Sequence, residues 1–330
     1  MGFLMTRHIS LDTIREAASA IYDVVTRTPL VRLEVPGLTA AAPEIYLKLE
    51  SLQPIGSFKI RGAYNAVRQL TPAQLAQGVW TVSAGNAAQG VALAARRAGA
   101  TCSVLVMDTA PATKLRSIER LGATIVKASY EECWQTVERH QSARMTGHFV
   151  HPFDDDAFIS GNGTIGLEIV EDLPDVDAVI AAIGGGGLLA GVAAAIRELR
   201  PEVSIYAAEP QTAAPLARSL EAGEARAFDE WTSSFVDGAG GRSVLNTMWP
   251  ILESLVDDSI VVSLGDAARA MKLVADRVHV IMEGAAACAV AAALSPEFAA
   301  RNHKKVVAIV SGGNIDLTRF AQLTGSCNST

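Results

Sequence analysis

The chain has 330 residues, 49% of them apolar and 19% charged, with a net charge of −7. That length exceeds what a single hydrophobic core usually serves, so two domains are expected, and the composition excludes disorder. No cluster of Lys and Arg is present to neutralise phosphates, which argues against nucleic acid and against an anionic membrane surface as partners.

The N-terminal stretch "MGFLMTRHISLDTIREAA" turns charged and amphipathic within its first ten residues. It holds no signal-peptide core, so a cytoplasmic protein is expected. Cys102, Cys133, Cys288 and Cys327 lie far apart with no CxxC. Reduced core thiols and no metal site are expected from that spacing.

In "ESLQPIGSFKIRGAYNAV", residues 50–67, Lys59 lies between Phe58 and Ile60. An apolar flank desolvates an amine and lowers its pKa, which suits a Schiff-base lysine. From these residues alone a surface lysine at a helix start is the first reading. Beyond it, short apolar runs alternate with helical patterns. "VWTVSAGN" leads into "AAQGVALAARRAGA", and "TCSVLVMDTAP" into "ATKLRSIERLGA". "TIVKASY" then leads into a predicted helix that runs to Gly147. Residues 178–196 carry no charge, close to the length of a membrane span, but four glycines interrupt them. Strand, glycine turn and helix is the expected reading there. "VSIYAAEP" and "KKVVAIVSGGN" follow as strands. Uniformly apolar strands with Gly99, Gly122 and Gly147 as helix stops predict an α/β architecture with parallel sheets.

Ligands in such sheets bind beyond the carboxyl ends of the strands. Three loops qualify: Ser83-Ala84-Gly85-Asn86, Gly184-Gly185-Gly186-Gly187 and Ser311-Gly312-Gly313-Asn314. Exposed glycine N–H groups at a helix N-terminus suit a phosphate, while a tightly packed turn also calls for glycine. Gly185-x-Gly187-x-x-Ala190 also fits a dinucleotide fingerprint, with Glu209 about twenty residues on. A nicotinamide-dependent oxidoreductase is therefore an alternative.

The run Gln53-x-x-Gly56-Ser57-Phe58-Lys59-x-Arg61-Gly62-Ala63 resembles the cofactor-lysine motif of fold-type II pyridoxal-phosphate enzymes. It is most similar to that of the threonine/serine dehydratases, with the serine racemases near by. Thr28-Pro29-Leu30, His151-Pro152-Phe153-Asp154, Gly161-Asn162-Gly163-Thr164, Asp237-Gly238 and the three loops extend the resemblance along nearly the whole chain, in order.

The resemblance implies a tryptophan-synthase-β-like fold of two open, mostly parallel twisted sheets flanked by helices. It places 1–52 and 149–330 in a large cofactor-binding domain. The region 53–148 contains a small mobile domain, with the Lys59 segment at the interface. It implies that Lys59 binds pyridoxal 5'-phosphate as a Schiff base and acts as general base. Gly184, Gly185, Gly186, Gly187 and Leu188 would cradle the phosphate, Asn86 the ring hydroxyl, and Ser311 the pyridine nitrogen. Phe58, Gly238 and Glu283 would line the cofactor, and Ser83, Ala84, Gly85, Asn86 and Ala87 would take the substrate carboxylate. The implied reaction is β-elimination of a 3-hydroxy amino acid to a 2-keto acid and ammonia, by a homodimer.

Departures from the family pattern sharpen this. Serine racemases carry a serine where Ala84 stands, and alanine exchanges no proton, so elimination is favoured over racemisation. A non-catalytic sensor that kept the fold is a further alternative. Ala87 replaces a usual histidine, and Trp134 falls near a usual arginine. Together they could admit a bulkier substrate such as 3-phenylserine, or the site still takes threonine and serine and Trp134 belongs to the core. Pro215 stands where metal-binding members place an acid, leaving Glu209 as a weak cation ligand or a helix cap. The sequence shows no regulatory extension after about residue 320, so the feedback-controlled type is not expected.

Overall fold

A computed structural model describes residues 7–37 and 42–325. In chain order the elements are α1 (Leu11–Ile21), β1 (Leu30–Leu33), β2 (Glu44–Lys48), α2 (Lys59–Arg68), α3 (Pro72–Ala76), β3 (Val79–Val82), α4 (Asn86–Arg97) and β4 (Cys102–Met107). Next come α5 (Ala112–Glu119), β5 (Thr124–Ala128), α6 (Tyr130–Arg139), β6 (His148–Phe149), α7 (Asp156–Asp172), β7 (Ala178–Ala182), α8 (Gly187–Leu199) and β8 (Ser204–Pro210). The last are α9 (Pro215–Ala222), α10 (Trp249–Leu255), β9 (Asp258–Val262), α11 (Leu264–Val278), α12 (Gly284–Ala293), α13 (Pro296–Ala299), β10 (Lys305–Ile309) and α14 (Leu317–Gly325).

The strands form two sheets, one ordered β1-β2-β10-β7-β8-β9 and one ordered β5-β4-β3-β6. Every pairing is parallel except β1 with β2. The strands that read as uniformly apolar are central, and β3 and β7 are buried at every residue. Such strands need cover on both faces. In the larger sheet, α7, α8 and α10 pack on one face and α11 and α12 on the other. In the smaller sheet, α2, α4 and α5 cover one face and α6 the other. The uncharged run 178–196 divides at its glycines into β7 and α8. Among the described residues no helix is long and apolar enough to cross a membrane.

One predicted boundary differs. The helix expected to reach Gly147 stops at Arg139, where His140 turns left-handed at φ +55°. The His140 ring stacks on His151 with centroids 4.4 Å apart, and its Nε2 lies 3.1 Å from the Asp154 carboxylate. Those contacts hold the turn that ends α6. Gly147, at φ +93°, has another reason to be glycine: a Cβ there would stand 2.3 Å from the Gly78 carbonyl oxygen.

Helix α2 begins at Lys59 and is gripped by close helix contacts. A Cβ on Gly90 of α4 would lie 3.0 Å from the Lys59 carbonyl oxygen, and one on Gly161 of α7 would lie 2.4 Å from that of Arg61. Behind it, Lys48, Glu50, Arg61 and Glu168 are all fully buried. Arg61 donates to both carboxylate oxygens of Glu50 at 2.8 Å and to Glu168 at 2.7 Å. Lys48 pairs with Glu168 at 2.8 Å and donates to the Thr28 carbonyl at 2.7 Å. The two cations balance the two anions, which makes so much buried charge tolerable. The motif residues Thr28, Arg61, Gly161 and Thr164 thereby acquire a physical role as the seat of α2.

Candidate active site

Helix α4 and the loop after β10 meet the start of α2, and the loop after β7 meets the Pro152–Phe153 stretch that Lys59 touches. The Lys59 ammonium donates to the Pro152 carbonyl at 2.6 Å and lies 5.1 Å from the Phe58 ring centroid and 5.3 Å from that of Phe158. Burial pushes its pKa down to about 8, against the opposing pull of Glu283. A position at a helix N-terminus, where the dipole disfavours a cation, acts in the same direction. Phe58 is buried and its N–H donates to the Ser311 carbonyl at 3.0 Å, tying the lysine segment to the loop after β10.

The four-glycine loop packs against Phe153, the residue after the Pro152 that Lys59 touches. A Cβ on Gly185 would meet the Phe153 ring at 2.3 Å, and one on Gly187 the Phe153 carbonyl oxygen at 2.5 Å. One on Gly184 would stand 2.4 Å from the Gly238 carbonyl oxygen, and Gly186 has φ +94°. Both readings of the loop therefore meet here: every glycine is sterically required, and the turn delivers bare amides. No side chain caps α8, and the N–H groups from Gly184 to Leu189 find no protein acceptor among the described residues. A row of unmatched donors at a helix start, buried from Gly186 onward, suits a phosphate.

Asn86 opens α4 and faces Glu283. Its Nδ2 donates to Glu283 Oε1 at 2.8 Å, and its Oδ1 accepts from Asn314 Nδ2 at 2.7 Å. Burial pushes the Glu283 carboxyl up to about 7, although the Asn86 bond and Lys114 oppose the shift. Glu283 Oε1 lies 3.8 Å from where a Cβ on Gly238 would sit. In the loop before Asn86, Ser83 Oγ accepts from the Gly85 N–H at 3.1 Å, and Gly85 has nothing within 4 Å of its absent Cβ. This loop borders open space. Ala84 is partly buried. Ala87 does not leave an open gap: it is 3% exposed, because the first turn of α4 packs inward there. The Ser311 hydroxyl has no hydrogen-bond partner among the described residues.

Other candidates fall outside this cluster. Trp134 is half-buried on α6 with its indole N–H on Glu138 at 2.8 Å, away from the contacts above. Glu209 is fully buried and accepts from the Leu216 and Ala217 N–H groups at 2.8 Å each and from the Ser259 hydroxyl at 2.6 Å. It is the cap of α9. Three of its lone pairs are taken by these bonds and it is fully buried, so its place in the fold is explained by the cap and not by a ribose hydroxyl. His140, His151 and Asp154 bring potential ligand atoms within 4.8 Å of one another. The Asp154 N–H donates to His151 Nδ1 at 2.7 Å, so Nε2 carries the proton and donates to the Val137 carbonyl at 3.1 Å. No lone pair is left on that ring for a metal. Asp154 instead binds Arg7, His140 and the Thr247 hydroxyl.

The donor set fits pyridoxal 5'-phosphate: uncapped amides for a phosphate, a lysine of lowered pKa for an aldehyde, a free hydroxyl at Ser311 and one unused hydrogen on Asn86 Nδ2. Two mostly parallel sheets with a glycine loop and such a lysine define a fold-type II pyridoxal-phosphate site. Residues 21–312 match the family described as pyridoxal-phosphate dependent enzymes. The chain is 38% identical over 317 residues to an L-threonine ammonia-lyase of Thermotoga maritima, covering 96% of this chain and 78% of that one. It is 37% identical over 324 residues to a catabolic L-threonine dehydratase, TdcB, of Staphylococcus aureus, covering 96% and 93%. Its fold matches that of maize serine racemase with a TM-score of 0.88 at 36% identity, covering 97% and 98%. The chain belongs to the pyridoxal-phosphate-dependent enzymes, and pyridoxal 5'-phosphate is its cofactor. Sequence reasoning missed the Pro152 carbonyl and the part played by Asn314. Neither carries a local signal, since one is backbone and the other acts through a residue distant in sequence.

Proposed function

We propose that this chain is an ammonia-lyase that converts a 3-hydroxy amino acid, threonine or serine, to a 2-keto acid and ammonia. Lys59 holds the cofactor, with the amides of Gly184–Gly187 and Leu188 on its phosphate. Ser311 meets the ring nitrogen and Asn86 the ring hydroxyl, while Phe58, Gly238 and Glu283 line the pocket. Once bound, the cofactor supplies an electron sink for the substrate's α-carbon. The Lys59 amine, brought to about 8, takes the α-proton near neutral pH. The substrate carboxylate sits on the loop from Ser83 to Ala87. The Cα–H and Cβ–O bonds break, the hydroxyl leaves as water, and the unsaturated amine released takes up water to give keto acid and ammonia.

The observation that carries the reading is Ala84. Lys59 serves one face of the α-carbon, and the loop residue best placed for the other face has no proton to exchange. Racemisation is the second reading, favoured by the likeness to maize serine racemase. The enclosed methyl of Ala87 supports threonine and serine over 3-phenylserine as substrates. The region 53–148 contains the layer that moves to admit substrate, its helices α5 and α6 meeting the rest through Lys114–Asp237 and through Arg242, whose guanidinium lies over the Tyr130 and Trp231 rings. A second copy covers exposed Leu52, Ile281 and Leu317 in a homodimer. Buried, free Cys102, Cys133 and Cys288 fit a reducing cytoplasm.

The test is incubation of the cofactor-loaded protein with L-serine, L-threonine and L-3-phenylserine, measuring keto acid and the chirality of the remaining amino acid. Keto acid from serine and threonine is expected. D-enantiomer without keto acid would make the protein a racemase, and turnover of none would leave the sensor reading.

A further inference from the structure

We propose that Asn314 is a positioning residue that sets which way the Asn86 amide faces. The argument starts from a carbonyl, which can only accept. Asn314 Nδ2 lies 2.8 Å from the Ile55 carbonyl oxygen, so the NH2 end of Asn314 must face it. Its second hydrogen then meets Asn86 at 2.7 Å, and the atom there must be the Asn86 oxygen. That leaves the Asn86 NH2 turned inward, one hydrogen on Glu283 Oε1 at 2.8 Å and one unused. Asn86 thus offers the site donors alone.

The anchor is built into the lysine motif. Gly56 has φ +71°, and a Cβ there would strike Asn314 Oδ1 at 2.7 Å. The Gly313 N–H donates to the Gly56 carbonyl at 2.9 Å, clasping the turn before Lys59 against the loop after β10. Asn314 is itself exposed, yet both of its amide hydrogens are used. Asn314 and Glu283 sit with the larger sheet and Asn86 with the smaller, so both bonds to Asn86 cross between the layers.

The inference rests on the proposed contact between Asn86 and the cofactor. The experiment measures pyridoxal 5'-phosphate affinity and the visible band of the bound cofactor for Asn314→Asp, Asn314→Ala and the same changes in an Asn86→Ala background. Asp keeps the size of Asn but turns a donor into an acceptor, so Asn86 must invert. Ala leaves room for a water that can still donate. Asn314→Asp is therefore expected to weaken cofactor binding about tenfold and shift the band, with Asn314→Ala milder. Neither change is expected to add to Asn86→Ala. A merely structural contact would keep its full effect in the Asn86→Ala background, since the Ile55 carbonyl meets the changed side chain there too. An effect of Ala as large as that of Asp, or effects undiminished in the Asn86→Ala background, would overturn the proposal. Wild-type protein that binds no cofactor would overturn the reading of the site itself.

Discussion

Replacing Glu168 with glutamine leaves the quartet behind α2 with two cations and one anion. Glu168 accepts from Arg61 at 2.7 Å, from Lys48 at 2.8 Å and from the Tyr22 hydroxyl at 2.7 Å, and it is fully buried. Arg61 keeps Glu50, and Lys48 keeps the Thr28 carbonyl and the partly exposed Asp172. One buried positive charge is then left with only the partly exposed Asp172, 3.4 Å away and shared with Arg27, and breaking a buried pair in this way costs about 3–5 kcal/mol. For a chain of this size the Tm should fall by about 4–7 °C at pH 7. The pH dependence follows from the sign of the shift. Burial opposes ionisation of Glu168, but Arg61 and Lys48 overcome it and hold its pKa below the usual value. Its contribution is whole above the unfolded value of about 4.3 and is lost as pH falls through the lower folded value. The gap between wild type and Glu168→Gln should therefore be flat from about pH 8 to 5 and close below about pH 4. Calorimetric melting of the cofactor-free proteins checks both. A loss under about 2 °C at pH 7, or a gap that widens in acid, would refute the balanced-quartet reasoning.

Glu283 has the opposite sign: its folded pKa is raised to about 7, so its contribution is whole below about pH 4.3 and is lost as pH rises through 7. Melting of cofactor-free Glu283→Gln should gain on wild type by roughly 2 kcal/mol between about pH 5 and 8, and no gain would contradict the shift. Ala84→Ser places a proton-exchanging hydroxyl on the loop and should raise D-enantiomer formation at least about tenfold, read by chiral chromatography. The enclosed Ala87 predicts that kcat/KM for L-threonine exceeds that for L-3-phenylserine by about tenfold or more. Equal values would show that the pocket opens there.

The α/β class, the mostly parallel sheets and the three loops that follow β3, β7 and β10 were legible because apolar runs and glycine breaks report local geometry. The same logic located β7 and α8 inside an uncharged run of membrane-span length. The end of α6 was not legible. Its stop depends on His140 meeting His151 and Asp154, contacts that no helical period encodes. Gly147 read as a helix stop, whereas it is glycine because of the Gly78 backbone across the sheet. Ala87 shows the limit most clearly. A small residue in place of a large one reads as a gap, but whether the gap opens depends on how α4 packs. Glu209 reads equally as ribose ligand, cation ligand or cap, and only the Leu216 and Ala217 amides decide. The charge quartet was equally hidden, since Lys48, Glu50, Arg61 and Glu168 come from separate elements.

The central claim is that Lys59 carries the cofactor and performs the elimination. The direct measurement is borohydride reduction of the cofactor-loaded protein, peptide mass mapping of the product, and keto-acid assay of L-threonine before and after. The account predicts that the visible band disappears, that the added mass lies on Lys59, and that keto-acid release stops, as it also does in Lys59→Ala. Added mass on another lysine, or keto-acid release that survives in Lys59→Ala, would contradict it.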